Sequence, residues 1–103
     1  MAGERESSLE SRFNVGAAKH FFLSIKLVAV ARYGFPDRTC FGNKGHIFFV
    51  ELKKEGSKPD VKAKQAYWHR KLRKMGFNVY VCNSMGQATA IFETEKAIQD
   101  ERP

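Results

Sequence analysis

Apolar residues recur along the chain at two spacings, one typical of helices and one typical of strands. Residues 5–20 place Leu9, Phe13 and Ala17 four residues apart among charged side chains, which predicts an amphipathic helix. Residues 21–31 read FFLSIKLVAVA, a run rich in β-branched and aromatic side chains that predicts a first strand. The predicted fold therefore begins with a helix followed by a strand.

A β-hairpin follows, because two apolar runs flank the polar turn GNKG. Pro36 cannot donate a ladder hydrogen bond and belongs at the start of a strand, so the two strands are expected over residues 37–41 and 46–53. The remaining pattern predicts a helix over residues 61–75, a strand over residues 77–82, and a last helix that begins after the N-cap Ser84 and extends towards Ile98. The predicted element order is α-β-β-β-α-β-α.

The third predicted strand is apolar on both of its faces. Its alternating positions carry His46, Phe48 and Val50 on one side and Ile47 and Phe49 on the other. A strand of this kind lies inside a sheet that helices cover on both sides, which predicts a three-layer α/β domain. Charged residues appear only at the C-terminal end of the strand, so they mark one end of the sheet.

Length and composition predict that this sheet belongs to one soluble domain. We expect a single domain over residues 1–103, with flexible ends at residues 1–5 and 99–103. No apolar run approaches the ~20 residues of a membrane span and the N-terminus resembles no signal peptide, so a cytoplasmic location without a membrane partner is expected. Cys40 and Cys82 sit in apolar runs, which favours buried reduced thiols. The net charge of +7 favours a polyanionic partner such as nucleic acid.

Two acids and a lysine lie at the charged end of the hairpin. Asp37 and Glu51 are equidistant from Lys44 in the turn, so a regular hairpin places them opposite each other with Cβ atoms ~5 Å apart. Lys53 lies on the same strand face as Glu51, because strand side chains alternate with period two. Facing carboxylates destabilise a sheet, and partial burial raises the pKa of at least one of them. A bound divalent cation would remove this conflict.

The chemistry of this group suits the hydrolysis of phosphodiesters. A hard cation such as Mg²⁺ is held by one or two carboxylates together with water and phosphate oxygens. It would activate a water molecule and neutralise charge on the phosphate, while Lys53 would orient the nucleophile. The alternative interpretation is that Glu51 and Lys53 are solvated strand-end residues and that Asp37 forms a turn after Pro36. Spacing alone does not separate the two.

Several motifs together resemble the PD-(D/E)XK nuclease superfamily. GFPDR, FFVELKKEG, the helix that begins KQAYWHRKLRKMGF and the strand VYVC follow one another in the superfamily's α-β-β-β-α-β order. The chain is most similar to its VRR-NUC branch, the virus-type replication and repair nucleases, which include small standalone phage proteins. The resemblance covers residues 6–92. It implies a restriction-endonuclease-like fold with a central mixed four-stranded sheet flanked by helices.

The resemblance also implies roles for individual residues. Asp37 and Glu51 match the metal-binding carboxylates, and Lys53 matches the catalytic lysine. The backbone carbonyl of Leu52 would be a further ligand of the implied Mg²⁺ or Mn²⁺. Gln65 matches a glutamine on the second core helix that supports the catalytic residues.

The family also uses a glutamate of the first helix as a metal ligand. Glu10 is the chosen match, and Glu6, four residues earlier on the same helical face, is its rival. Helical spacing does not separate the two. Lys26 matches a basic residue that the family carries on the first strand.

Basic residues near the predicted site are candidate DNA contacts. Lys62 and Lys64 are the nearest members of a lysine- and arginine-rich helix, although a solvated helix face is the commoner reason for such charges. Arg38 follows Asp37 directly and is a candidate phosphate contact, with a surface ion pair to Glu55 as the alternative.

The chain's histidines and loops add little further chemistry. His69 lies one turn after Gln65 and could face the site, although a packed or surface histidine is the commoner outcome. His20 and His46 have no carboxylate or cysteine partner at zinc-ligand spacing. The chain has no glycine-rich phosphate loop, so no nucleotide cofactor is expected.

The resemblance implies a metal-dependent, structure-selective endodeoxyribonuclease that acts as a homodimer on branched DNA of the Holliday-junction type. A two-fold dimer would place two sites on two strands. One alternative is a non-catalytic nucleic-acid-binding module that keeps the nuclease fold. Another is a nuclease that acts on RNA.

Overall fold

The computed structural model describes residues 2–58 and 60–103, and it describes side chains from Ser8 onward. Met1 and the side chain of Glu6 fall outside this description, and the flexibility of residues 1–5 stays a prediction. The helices and strands are α1 (Ala2–Lys19), β1 (Leu23–Ile25), α2 (Val28–Ala31), β2 (Arg38–Phe41), β3 (Ile47–Leu52), α3 (Ala63–Lys74), β4 (Asn78–Cys82) and α4 (Met85–Asp100).

The four strands form one mixed sheet in the order β1-β2-β3-β4. The pairs β1–β2 and β2–β3 are antiparallel, whereas β3 and β4 are parallel and are connected by α3. The predicted mixed four-stranded sheet is therefore confirmed. Ser84 also caps α4 as predicted, because its hydroxyl accepts a hydrogen bond from the Gln87 N–H at 3.2 Å.

The prediction of one strand over residues 21–31 is wrong in its second half. The strand is only Leu23–Ile25, and the segment Val28–Ala31 forms one helical turn instead. The neighbouring strand β2 begins at Arg38, and its Thr39 is the partner of Ile25. Beyond Ile25 only Arg38 of β2 remains as a pairing partner, so β propensity alone does not keep the chain extended.

Helices cover the sheet on both faces, as predicted from the apolar faces of β3. Phe48 and Val50 are fully buried on the side of α1 and α4, where they join a core that includes Phe13 and Phe92. Phe49 points the other way and packs in a second core formed with α3. Because β3 is buried between both layers, its position is tightly held, and its C-terminal end places Glu51 at a defined position.

The C-terminal tail, residues 99–103, contacts the hairpin at two positions, and its flexibility stays a prediction. Gln99 is buried, and its Oε1 accepts a hydrogen bond from the Asn43 N–H at 2.7 Å. Arg102 Nε donates to His46 Nδ1 at 3.1 Å. These contacts anchor the tail to the hairpin, and the partners lie more than fifty residues away in sequence, where no local pattern reveals them.

His46 and the cysteines are internal. His46 Nε2 lies 2.7 Å from Glu95 Oε1, and Glu95 also accepts hydrogen bonds from Asn78 and Tyr80. Cys40 and Cys82 are buried free thiols, and burial raises the pKa of Cys40 to about 12.

Across the described residues, no helix combines the length and apolar character needed to span a membrane.

Candidate active site

The hairpin register brings Asp37 and Glu51 to facing positions. Arg38 pairs with Val50 and Thr39 with Phe49, so one further step places Asp37 opposite Glu51. Lys44, at the centre of the turn, adopts a left-handed conformation with φ 59°. The observed register is the one that the symmetry about Lys44 predicted.

Glu51 is a buried carboxyl group with only part of its hydrogen-bonding capacity used. The residue is 2% exposed, and its Oε2 accepts a hydrogen bond from Gln65 Nε2 at 3.0 Å. Oε1 has no hydrogen-bond partner among the described residues. Burial, followed by the hydrogen bond and negative charge of Asp37, raises the pKa of Glu51 to about 8, although the charge of Lys53 opposes this rise. Glu51 is therefore mainly protonated at neutral pH until a positive charge approaches.

Asp37 is fixed by the backbone of the strand that carries Glu51. Its Oδ2 accepts a hydrogen bond from the Leu52 N–H at 2.8 Å. Leu52, whose carbonyl is the predicted backbone ligand, thus lies beside both acids. The loop before Asp37 packs closely on α3: Gly34 has φ +95°, and a Cβ there would lie 2.7 Å from the Lys64 carbonyl carbon. Only glycine fits this approach without strain.

Gln65 connects the acids to the lysine. Its Oε1 accepts hydrogen bonds from Lys53 Nζ at 2.7 Å and from the Lys62 N–H at 3.0 Å, while its Nε2 donates to Glu51. The contact with Lys62 satisfies a free amide at the start of α3, so the same side chain caps the helix and orders the site. The structure thus brings Asp37, Glu51, Lys53 and Gln65 together.

His69 also faces the site, one turn after Gln65 on α3. It is 2% exposed, and its Nε2 lies 3.6 Å from Glu51 Oε1. Burial lowers the pKa of His69, and the charges of Arg73 and Lys53 lower it further, so the ring is neutral at pH 7. It was not among the predicted site residues, although its spacing from Gln65 was the signal that pointed to it.

Glu10 does not join the two acids. It accepts a hydrogen bond from Arg38 Nη1 at 3.1 Å. Arg38 alternates with Asp37 along β2 and points to the α1 side of the sheet, so it draws Glu10 to that side. Within the described part of the chain, no group of three or more His, Cys, Asp and Glu side chains is close enough to hold a metal ion. Among the described side chains, Glu10 pairs with Arg38 instead of the two acids, and its role as a metal ligand stays a prediction.

Arg38 also differs from its predicted role as a DNA contact. Its side chain is buried, and its guanidinium donates to Ser24 Oγ and the Ser24 carbonyl, each at 2.9 Å, as well as to Glu10. The alternative ion pair with Glu55 is also absent, because Glu55 pairs with Arg12. Arg38 is an internal connection between α1, β1 and β2.

The remaining predicted DNA contacts lie on the surface. Lys26, Lys62 and Lys64 are all exposed. Trp68 donates its Nε1–H to the Tyr33 carbonyl at 3.1 Å and packs edge-on against Phe35, so it holds the loop and is not a free stacking surface.

The residues present fit a hard divalent cation. Glu51 Oε1 is buried and lacks a hydrogen-bond donor among the described residues, and Asp37 places a second carboxylate beside it. Carboxylates and a backbone carbonyl are the oxygen ligands that Mg²⁺ and Mn²⁺ prefer. A cation would stabilise the ionised form of Glu51, which burial otherwise disfavours.

Comparison with solved structures agrees with the observed fold. A structure described as "VRR_NUC domain" is 32% identical to the chain, and the match covers 86% of this chain and 95% of that one with a TM-score of 0.72. No family model matches the chain, and no curated protein matches it.

Proposed function

Because the chain belongs to the VRR_NUC family of nuclease domains, we propose that it is a metal-dependent endodeoxyribonuclease that hydrolyses phosphodiesters in branched DNA. The observation that carries this proposal is the connected group of Asp37, Glu51, Lys53 and Gln65. Two carboxylates side by side repel each other and destabilise the fold, and the hydrogen bond to Gln65 holds Lys53 beside them. Such an arrangement is typical of a functional site.

Each residue has a role that follows from its contacts. Asp37, Glu51 and the Leu52 carbonyl would hold Mg²⁺ or Mn²⁺. Such a cation supplies an activated water molecule and charge neutralisation at the phosphate. Lys53 places a positive charge beside the acids and stabilises the negative charge that develops on the phosphate. Gln65 positions both Lys53 and Glu51 through its two hydrogen bonds.

Charge and size support a DNA partner and a dimer. The chain carries a net charge of +7, and Lys62 and Lys64 lie exposed at the start of the helix that bears Gln65. Phosphate contacts of this kind guide DNA to the site without reading its sequence. A domain of this size has little surface with which to recognise a branch, so a two-fold dimer would supply the second site and the second strand.

The proposal is tested with an end-labelled four-way junction and a matched linear duplex in Mg²⁺, Mn²⁺ or chelator. We expect metal-dependent cleavage of the junction, lost in Asp37→Asn and reduced by about 100-fold or more in Lys53→Ala. Lys96→Ala removes a positive charge that pairs with Asp100 on α4 and serves as the matched control. Its rate should equal that of the native protein.

The other outcomes separate the alternatives. Equal cleavage of the junction and the duplex would retain the nuclease and remove the branch selectivity. Cleavage of RNA alone would identify RNA, not DNA, as the substrate. Binding without cleavage of DNA or RNA in either metal would contradict the proposal and favour the non-catalytic binding module. Sedimentation of the native protein tests the dimer independently.

A further inference from the structure

Two buried polar atoms face each other in the site. Glu51 Oε1 and His69 Nε2 lie 3.6 Å apart, each on a side chain that is 3% exposed. Neither atom has a hydrogen-bond partner among the described residues. A buried polar group without a partner is costly, so this pairing of two such groups requires a physical explanation.

The distance between the two atoms identifies the partner of each. At 3.6 Å the two atoms are slightly beyond a normal hydrogen bond, and each is the nearest candidate partner of the other. A movement of about 0.6 Å would form a direct N–H···O bond. The neutral ring can carry its proton on Nε2, and an ionised Glu51 accepts such a bond.

We propose that His69 is a positioning residue whose Nε2–H donates to Glu51 Oε1 when the acid is ionised. Gln65 holds the other oxygen of the same carboxylate. An ionised carboxylate accepts about four hydrogen bonds, so these two donors orient Glu51 and leave lone pairs for a cation. Outer partners of this kind orient the ligands of many metal sites. This inference rests on the proposed function, since it concerns how Glu51 is held for a divalent cation.

The test compares two substitutions of His69, one that keeps a hydrogen-bond donor and one that removes it. His69→Gln places an amide N–H near the position of Nε2, whereas His69→Leu keeps a similar volume without a donor. Mn²⁺ affinity is measured by the electron paramagnetic resonance signal of free Mn²⁺, and folding by circular dichroism melting. We expect His69→Leu to weaken Mn²⁺ binding by about 10- to 100-fold and His69→Gln to retain affinity within about threefold. His20→Gln, at a distant histidine, is the control and should bind as the native protein does.

The native protein separates this inference from the proposed function. If it binds no Mn²⁺ and cuts no nucleic acid, the proposed function fails and the role of His69 fails with it. If it binds Mn²⁺ and folded His69→Leu binds equally well, only the role of His69 is refuted. Equal weakening in the folded leucine and glutamine variants would also refute the donor role. Should His69→Leu fail to fold, His69→Met provides the second donor-free variant.

Discussion

Glu51→Gln should stabilise the metal-free protein, and the gain should grow with pH. The native carboxyl is protonated in the folded site up to about pH 8, because burial and Asp37 oppose its ionisation. In the unfolded chain it ionises near its ordinary value. The amide of the variant carries no charge, so it avoids this penalty. Its oxygen can accept from Gln65 Nε2, and its NH₂ can face His69 Nε2 if the ring adopts its other tautomer.

The magnitude follows from the change in pKa. A rise of the Glu51 pKa from 4.5 to about 8 corresponds to a loss of about 5 kcal/mol in the free energy of unfolding once the group is fully ionised, at about 1.4 kcal/mol per pH unit. Between these pH values the folded state binds more protons than the unfolded state, so native stability falls as pH rises. The loss begins near pH 4.5 and is complete above about pH 8. At pH 7 it amounts to about 3 kcal/mol.

The assay is urea unfolding of the native and variant proteins at pH 5 and pH 9, with chelator present. We expect nearly equal midpoints at pH 5 and a midpoint higher by about 2–5 M for Glu51→Gln at pH 9, since the urea m-value of a small protein is about 1–3 kcal/mol/M. Glu93→Gln changes an exposed glutamate of α4 and should follow the native protein at both pH values. Parallel pH dependence of the native protein and Glu51→Gln would refute the reasoning.

Three further predictions follow from the same structure. Mn²⁺ affinity should rise about tenfold per pH unit below about pH 8 and then level off, because Glu51 must lose its proton; calorimetric titration that shows a flat profile would contradict this. Gly34→Ala should lower the unfolding free energy by about 1–3 kcal/mol, since its Cβ would meet the Lys64 backbone; a melting temperature equal to that of the native protein would count against the close packing. Glu95→Ala should lower the free energy of unfolding by about 3–5 kcal/mol, because it leaves His46 and its neighbours without their buried acceptor. Its Mn²⁺ affinity should equal that of the native protein, and a weaker affinity would show that this network supports the site.

The parts of the fold that the sequence predicts best are those set by local symmetry and periodicity. The hairpin register follows from the turn around Lys44, and it brings Asp37 and Glu51 together without knowledge of the rest of the molecule. The capping of α4 by Ser84 is equally local. The predicted first strand, residues 21–31, is too long because a strand ends where its neighbour in the sheet ends, and local sequence does not show that point.

The contacts that the sequence does not predict depend on three-dimensional competition. Glu10 lies on a helical face that suits a metal ligand, but Arg38 reaches it from the α1 side of the sheet and binds it there. Whether Glu10 points to Arg38 or to Glu51 depends on the rotation of α1 against the sheet, which periodicity does not determine. The pairing of His46 with Glu95 has the same origin, since forty-nine residues separate them.

The most direct test of the account measures Mn²⁺ binding and DNA cleavage on the same samples of the native protein, Asp37→Asn and Lys53→Ala. The account predicts that the native protein binds Mn²⁺ and cuts, that Asp37→Asn does neither, and that Lys53→Ala binds Mn²⁺ but cuts about 100-fold or more slowly. Cleavage by the native protein at an unchanged rate in chelator, or by Lys53→Ala at the native rate, would contradict it.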